Sequence, residues 1–477
     1  MATPSGTGLL RKPDKTLPHR LARSARTVRD ALIPTPQLHD WIAERKAAQL
    51  HHVERIPFAK LHKWQFDDTT GDLTHDSGKF FRVQGLRVHS DYGPVPSWTQ
   101  PIINQPEIGI LGILVREIDG VLHFLLQAKT EPGNINGVQL SPTVQATRSN
   151  YTRVHHGDPV PYLEYFRHTG EQHVLCDVLQ SEQGSWFYRK RNRNMIVEVR
   201  EPVPEHEDFR WVTLGQLHEL LAEDNLVNMD TRTVLSCIPG GFEGSASDDS
   251  ELADALARSC DPLPGSLHTT LEVRSWIVAQ QSEHLVRAEL MPLNEVHQWR
   301  CAPEEIHQEQ NNFFSIIAVD VRGNSREVGR WTQPLLRPHG TGIVALLVKR
   351  VDGVLHALIN ARVEPGYFDV VELAPTVQCT PENYERLDVD YRPPFLDVVL
   401  NRAPEQVLFD TELSEEGGRF HQARNRYQII EVTSDALDTD LPDYRWLAMY
   451  QLIELLQHRN YINVQARSLI ACLRGLS

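Results

Sequence analysis

The sequence predicts an α+β protein built from two tandem copies of one domain. Three observations predict it. Landmark residues recur at a constant displacement, each copy holds short apolar runs broken by turn dipeptides, and each opens and closes on helical periodicity. A chain of 477 residues also exceeds what a single hydrophobic core usually holds.

Residues 1–35 carry Arg11, Lys12, Lys15, Arg20, Arg23, Arg26 and Arg29 among Ser, Thr and Pro. They read as a flexible basic tail, with docking onto a partner subunit as the alternative. The first copy takes residues 36–238. It starts on a helical pattern containing Trp41 and continues through Pro57, His62 and Trp64. These recur as Trp276, Pro292, His297 and Trp299, displaced by 235 residues. From Phe80-Phe81, matched by Phe313-Phe314, the displacement becomes 233. It then holds through Trp98-Thr-Gln-Pro101, Asp119-Gly-Val-Leu-His123 and Arg191-Asn-Arg193, matched by Trp331-Thr-Gln-Pro334, Asp352-Gly-Val-Leu-His356 and Arg424-Asn-Arg426.

Within the copy, apolar runs at 108–117 and 121–129 joined by Asp119-Gly120 predict a β-hairpin. A helical stretch at 161–169, a strand at 195–199 and a helix at 214–223 complete it. Residues 239–266 read as a linker, with a short helical pattern at 251–260 and the turn-rich Asp261-Pro-Leu-Pro-Gly265. The second copy takes residues 267–477. Two copies of this size make a doubled domain, not a solenoid.

Composition narrows the function. The net charge of −15 argues against non-specific nucleic-acid binding, which rests on a basic surface. Six scattered cysteines form no Cys-x-x-Cys pair and fit a reducing cytoplasm better than a zinc site. No apolar run is long enough to span a bilayer and no secretory signal is visible, so a soluble cytoplasmic protein is expected. No Gly-x-Gly-x-x-Gly opens a helix after a strand, so no dinucleotide cofactor is expected.

The segment that follows the hairpin carries the chemistry. It reads Glu131-Pro-Gly-Asn-Ile-Asn-Gly-Val-Gln-Leu-Ser-Pro-Thr-Val-Gln145 in the first copy. In the second it reads Glu364-Pro-Gly-Tyr-Phe-Asp-Val-Val-Glu-Leu-Ala-Pro-Thr-Val-Gln378. Polar and turn residues are kept twice, where a core segment would keep apolar periodicity; that marks a site.

The hairpin followed by Ala361-Arg-Val-Glu-Pro-Gly and Glu372-Leu-Ala-Pro375 resembles the approach of Nudix hydrolases to their catalytic helix. The metal-binding Arg-Glu-x-x-Glu-Glu helix does not follow. Glu412-Leu-Ser-Glu-Glu-Gly-Gly418 is only a partial match and reads as a loop, so no metal is expected.

The whole set is Glu-Pro-Gly, Ser-Pro-Thr-Val-Gln, Trp-x-Gln-Pro, Ser-Glu-x-Gly and Arg-Asn-Arg, in duplicate or near-duplicate. It closely resembles the NDP-hexose 2,3-dehydratases. That resemblance implies a duplicated Nudix-like fold, a homodimer, and dTDP-4-keto-6-deoxy-D-glucose as substrate. Loss of water from C2 and C3 would give a 3,4-diketo-2,6-dideoxy sugar, reduced afterwards by a separate NADPH-dependent ketoreductase in deoxysugar and antibiotic biosynthesis. The rival readings are a Nudix-type nucleotide-sugar hydrolase and a non-catalytic nucleotide-sugar binding protein.

Elimination needs a base for the proton on C3, donors for the developing enolate and an acid for the leaving hydroxyl. Where the first motif has Asn134, Asn136 and Gln139, the second has Tyr367, Asp369 and Glu372. The extra carboxylates favour the second copy as catalytic, with Glu372 or Asp369 as base. The opposite assignment, with Glu131 as base, stays open, and Glu131 and Glu364 are also candidates for pinning the Pro-Gly turns.

Diphosphate binding points to Arg153, Arg191, Arg193, Arg386, Arg419, Arg424 and Arg426. Thymine stacking points to Trp98, Trp331, Tyr151 and Tyr384. Gln100, Gln333, Thr143, Thr376, Gln145, Gln378, Asn192 and Asn425 complete the binding candidates, while Trp41, Trp64, Trp276 and Trp299 read as core.

Overall fold

The computed structural model describes residues 14–147, 159–167, 173–240, 251–324, 329–385, 391–433 and 441–476. It is an α+β structure of two similar halves. Each half contributes a seven-stranded mixed sheet, and two five-stranded sheets each combine strands of both halves. Among the described residues, no helix is long and apolar enough to cross a membrane.

The hairpin signals are met in both copies. Strands Gly109–Ile118 and Val121–Thr130 turn at Asp119 and Gly120, with φ of 50° and 77°. Asp352 and Gly353 repeat the turn at 49° and 75°. Both central residues are left-handed, as a two-residue turn between twisted strands requires. The hairpin strands pair only from the turn to Leu114 and Leu125, and then part. The repeated motif enters the gap: Val138–Pro142 pairs with one strand and Val144–Ala146 with the other.

Thr143 sits at the fork. Its hydroxyl accepts from Leu114 N at 2.9 Å and donates to Leu125 O at 2.5 Å. Thr376 makes the same two bonds with Leu347 and Leu358. Both threonines, candidates for ligand contacts, satisfy backbone groups that the splayed strands would orphan, and Thr143 also lines a cavity.

The halves interlock. Strand His51–Ile56 of the first half pairs with Phe314–Gly323 of the second, and Val286–Met291 of the second pairs with Arg82–Ser90 of the first. Helices Met229–Ser236 and Val464–Arg474 each start on an asparagine cap, Asn228 or Asn463. Each carries a fully buried arginine. Arg232 donates to Val227 O, Ser414 O and Ser468 Oγ, whereas Arg467 donates to Ile462 O, Ser181 O and Thr233 Oγ1. Each of these two arginines therefore ties its own helix start to a helix and a strand end of the other half. One apolar core, from Leu38 through Val344 to Leu473, runs through both halves.

Of the stretch expected as a flexible basic tail, residues 1–13 lie outside the described residues, and the reading is corrected for the part that forms a helix. Leu17–Arg26 is a helix whose Ser24 Oγ donates to Leu122 O and accepts from Leu214 N. Helix Glu251–Ser259, within the linker, repeats this contact: Ser259 Oγ bonds Leu355 O and Met449 N. The structural repeat therefore begins upstream of residues 36 and 267. Scattered arginines among prolines obscured the pattern, because only Leu21, Ala22 and Ser24 of the first helix are buried.

Candidate active site

Each Pro-Gly turn of the motif is clasped by the Ser-Glu-x-Gly loop of the opposite half. Gly133 N donates to Gly417 O at 2.7 Å, and Gly133 O accepts from Gln422 N at 2.7 Å. Gly366 N donates to Gly184 O at 2.7 Å, and Gly366 O accepts from Arg189 N at 2.9 Å. A Cβ at Gly133 would lie 1.6 Å from Phe420 O, and one at Gly366 1.9 Å from Phe187 O. Only glycine permits that approach. The stretch 412–418, expected as a loop, is one from Glu415 on and reaches into the first half.

A cavity of about 390 Å³ opens beside the first motif. Its wall includes Glu131, Lys129, Gln145, Glu182, Lys190, Asn192 and Asp230 of the first half, with Gln333, Glu416 and Arg419 of the second. Glu131 is buried; Gln145 Nε2 donates to its Oε1 at 3.1 Å and Lys129 Nζ lies 3.7 Å from it. Glu182 Oε1 accepts from Asn192, while its Oε2 has no hydrogen-bond partner among the described residues. Glu416 Oε1 accepts from Gly418 N at 3.0 Å, and its Oε2 is likewise unpartnered. Burial raises the Glu182 carboxyl and pushes Glu416 up to about 7, with the neighbouring carboxylates adding to both. Burial pushes the Lys190 ammonium down to about 8, against the attraction of Glu182. Its Nζ donates to Glu107 O. Arg419 lies over the Phe81 ring and donates to Gln105 Oε1.

The corresponding region of the second half is differently filled. Arg362 stands for Lys129 and donates from Nε to Glu364 Oε1 at 2.9 Å. Glu364 also accepts from Gln378 and from Ser185 N. Tyr367, in place of Asn134, is buried and accepts from Asn463 Nδ2. Glu415, the counterpart of Glu182, accepts from Gln183 at 2.6 Å, Asn425 at 2.6 Å and Tyr427 at 2.7 Å. In the first half Asn192 keeps the place of Asn425, but the other two donors are changed: Glu416 replaces Gln183 and Asn194 replaces Tyr427. In the second half Glu364 and Glu415 are held by their neighbours, although Glu372 Oε1 has no partner among the described residues; around the first-half cavity the unpartnered oxygens of Glu182, Glu416 and Asp230 are gathered in one wall.

The candidates sort accordingly. The favoured bases of the second copy do not face the described cavity. Glu372 is 1% exposed and accepts from Ser181 Oγ at 2.5 Å, and burial pushes it up to about 8. Gln139 has the matching bond with Ser414 Oγ. This position therefore joins the halves in either chemistry, which a lone carboxylate in the sequence concealed. Asp369 is exposed and accepts from Asn460. Asn136 donates to Asn225 O and Asn134 to Gly137 O.

Most of the predicted phosphate arginines are engaged elsewhere. Arg193 pairs with Asp177, Arg426 with Asp410 and Arg424 with Glu412, while Arg191 lies over Phe368. Among the described members of that group, Arg419 alone lines the cavity. Trp98 donates to Gln100 Oε1 and Trp331 to Gln333 Oε1, and the two glutamines hold Ser185 O and Gly418 O. Tyr384 is half-buried beside Arg362. Trp41, Trp64 and Trp276 are buried as expected, and Trp299 packs on Phe314. Tyr151, Arg153 and Arg386 lie outside the described residues.

Residues missed in the sequence are Lys129, Glu182, Lys190, Asp230 and Glu416. A signal for three of them was present: Lys190, Asp230 and Glu416 face Ala423, Gln465 and Gln183 in the other copy. Among the described residues, no group of three or more His, Cys, Asp or Glu is placed to hold a metal ion.

The family model for the NDP-hexose 2,3-dehydratases matches twice, over residues 35–238 and 270–473. The chain belongs to the NDP-hexose 2,3-dehydratase family. It is 52% identical over 462 residues, 96% of this chain and 95% of the relative, to a dTDP-4-dehydro-6-deoxy-alpha-D-glucopyranose 2,3-dehydratase of Saccharopolyspora spinosa. A relative of the same name from Amycolatopsis orientalis is 48% identical over 99% of this chain and 97% of its own. Another, from Streptomyces violaceoruber, is 48% identical over 93% of this chain and 97% of its own. The family match thus covers both repeats.

Proposed function

We propose that this dehydratase eliminates water across C2 and C3 of dTDP-4-keto-6-deoxy-D-glucose in the cavity of the first repeat. The observation that carries the reading is the gathering, in one cavity wall around Glu131, of three buried carboxyl groups with unpartnered oxygens and of the cations Lys129, Lys190 and Arg419, whereas the unpartnered oxygen of Glu372 in the second repeat lies outside that cavity. A buried polar group without a partner is costly unless a ligand supplies one. The cavity volume suits a small-molecule site.

In this reading Glu131 takes the proton from C3, which the C4 ketone acidifies. The electron pair moves towards the C4 oxygen, where Lys129, Lys190 and Arg419 offer positive charge. The C2–O bond then breaks and water leaves. The resulting C2=C3 enol takes a proton at C2 and becomes the 3-ketone, so the sugar loses one H₂O and no external oxidant or reductant enters. A Nudix-like descent of the two halves fits a scaffold that holds a diphosphate while the hydrolytic carboxylate helix is missing from the sequence. The labile diketo product calls for a following ketoreductase in the same compartment, the cytoplasm.

Incubation with dTDP-4-keto-6-deoxyglucose, with and without EDTA, tests the activity. Mass spectrometry is expected to show loss of water in both arms. Release of a nucleoside phosphate, suppressed by EDTA, would instead mean a hydrolase, and unchanged sugar would mean a binding protein.

A further inference from the structure

The base and the oxyanion donors leave one step unassigned: departure of the C2 hydroxyl, a poor leaving group unless protonated. Asp230 is the second residue of helix Met229–Ser236, lines the cavity and is 3% exposed. Its Oδ1 is fully buried without a hydrogen-bond partner among the described residues. Its counterpart Gln465 also keeps a buried oxygen without a partner, so what sets Asp230 apart is an acid at that position in the wall of the cavity.

The surroundings decide its form. Burial raises the Asp230 carboxyl well above its usual range, and Glu182, Glu416 and Glu131 push in the same direction, with Lys129 the opposing charge. A carboxyl among three others is a proton donor, as paired carboxylates in acid–base sites are. Duplication supplies the control. The second repeat has the same asparagine-capped, arginine-bearing helix, but Gln465 occupies the equivalent position. The helix therefore does not need an acid there.

We infer that Asp230 is the general acid that protonates the departing C2 hydroxyl, while Glu131 works on C3. This rests on the first-repeat cavity being the site of elimination. As the C2–O bond breaks and its electron pair goes to oxygen, the Asp230 proton joins that oxygen and water leaves. The Asp230 carboxylate then regains a proton from solvent or from the product side of the cavity.

A leaving group that needs no proton separates this role from others. The probes are the natural hydroxyl substrate and its 2-deoxy-2-fluoro analogue, with fluoride release and water loss measured on the full chain. Asp230→Asn is expected to lose about 10²- to 10⁴-fold on the hydroxyl substrate. It should stay within about ten-fold of wild type on fluoride release, where departure proceeds without the acid. Asp230→Gln, which takes the residue that the second repeat tolerates, repeats the measurement with a side chain suited to this helix.

Equal loss on both substrates in a variant that still binds dTDP overturns the inference, as does no loss on either. A split between the substrates in Glu416→Gln but not in the Asp230 variants also overturns it, in favour of Glu416. The underlying reading fails separately: Glu131→Gln would then leave both substrates unaffected.

Discussion

The two repeats share a fold, a clasp and a motif, yet around the matched pair Glu131 and Glu364 they have gone opposite ways. In the second, Arg362 binds Glu364 and Tyr367 fills buried space, while Glu415 takes three donors. In the first, Lys129 lies 3.7 Å from Glu131, and Glu182, Glu416 and Asp230 each keep an unpartnered oxygen. If the first repeat is the reactive one, as proposed, charge count alone is a poor guide to it. The second motif has more carboxylates, but its extra two are a buried cross-half hydrogen bond at Glu372 and a surface group at Asp369.

What the halves share breaks first. Gly133→Ala or Gly366→Ala would drive a methyl group into a carbonyl of the other half. Either substitution should cost more than about 4 kcal/mol and abolish soluble folded protein; a normal melting curve for either would break the symmetry of the clasp.

Next comes what the halves do not share. Glu131→Gln should lower kcat by about 10²- to 10⁴-fold with little change in melting temperature. Glu364→Gln should instead leave Arg362 without its charge partner and lose up to about 3 kcal/mol of stability, by urea denaturation, with turnover of the surviving folded protein close to normal. The opposite pattern would return the active site to the second repeat.

A pH series sharpens the contrast between Glu416 and its neutral counterpart, Gln183. The folded Glu416 carboxyl titrates near 7 against an ordinary 4.5, so between those values the native state holds the extra proton. Its contribution to stability is present at low pH and is lost as pH rises from about 4.5 to 7. Glu416→Gln should remove that slope, so the variant's melting temperature should gain on wild type as pH increases. A constant difference from pH 5 to 8 would sink the assignment.

The smallest effects lie where one repeat merely drifted. Val370 adopts φ of 62°, where the first repeat has Gly137 at 81°. Val370→Gly should be neutral to about 1 kcal/mol stabilising, because a β-branched residue is strained there. Arg193→Ala and Arg426→Ala each break a part-exposed pair with Asp177 or Asp410 and should change stability by less than about 1 kcal/mol. A large loss of substrate affinity in either variant would restore these arginines as phosphate ligands.

By itself the sequence determined the duplication, the α+β class, the Asp-Gly hairpins and the place of the motif. All of these depend on local chemistry: turn residues that allow positive φ, alternating apolar runs, and prolines and glycines kept in register. It also marked Glu131 and Arg419 as candidates, since their residue types are suited to the chemistry. Only the tertiary structure decided which carboxylates meet. Glu416 and Arg419 reach the first cavity because the halves exchange strands and clasp each other's turns, and Asp230 reaches it from a helix about a hundred residues beyond the motif. Such contacts are set by long-range packing. Whether a carboxyl is satisfied by three donors or left facing a cavity depends on neighbours contributed by the other half.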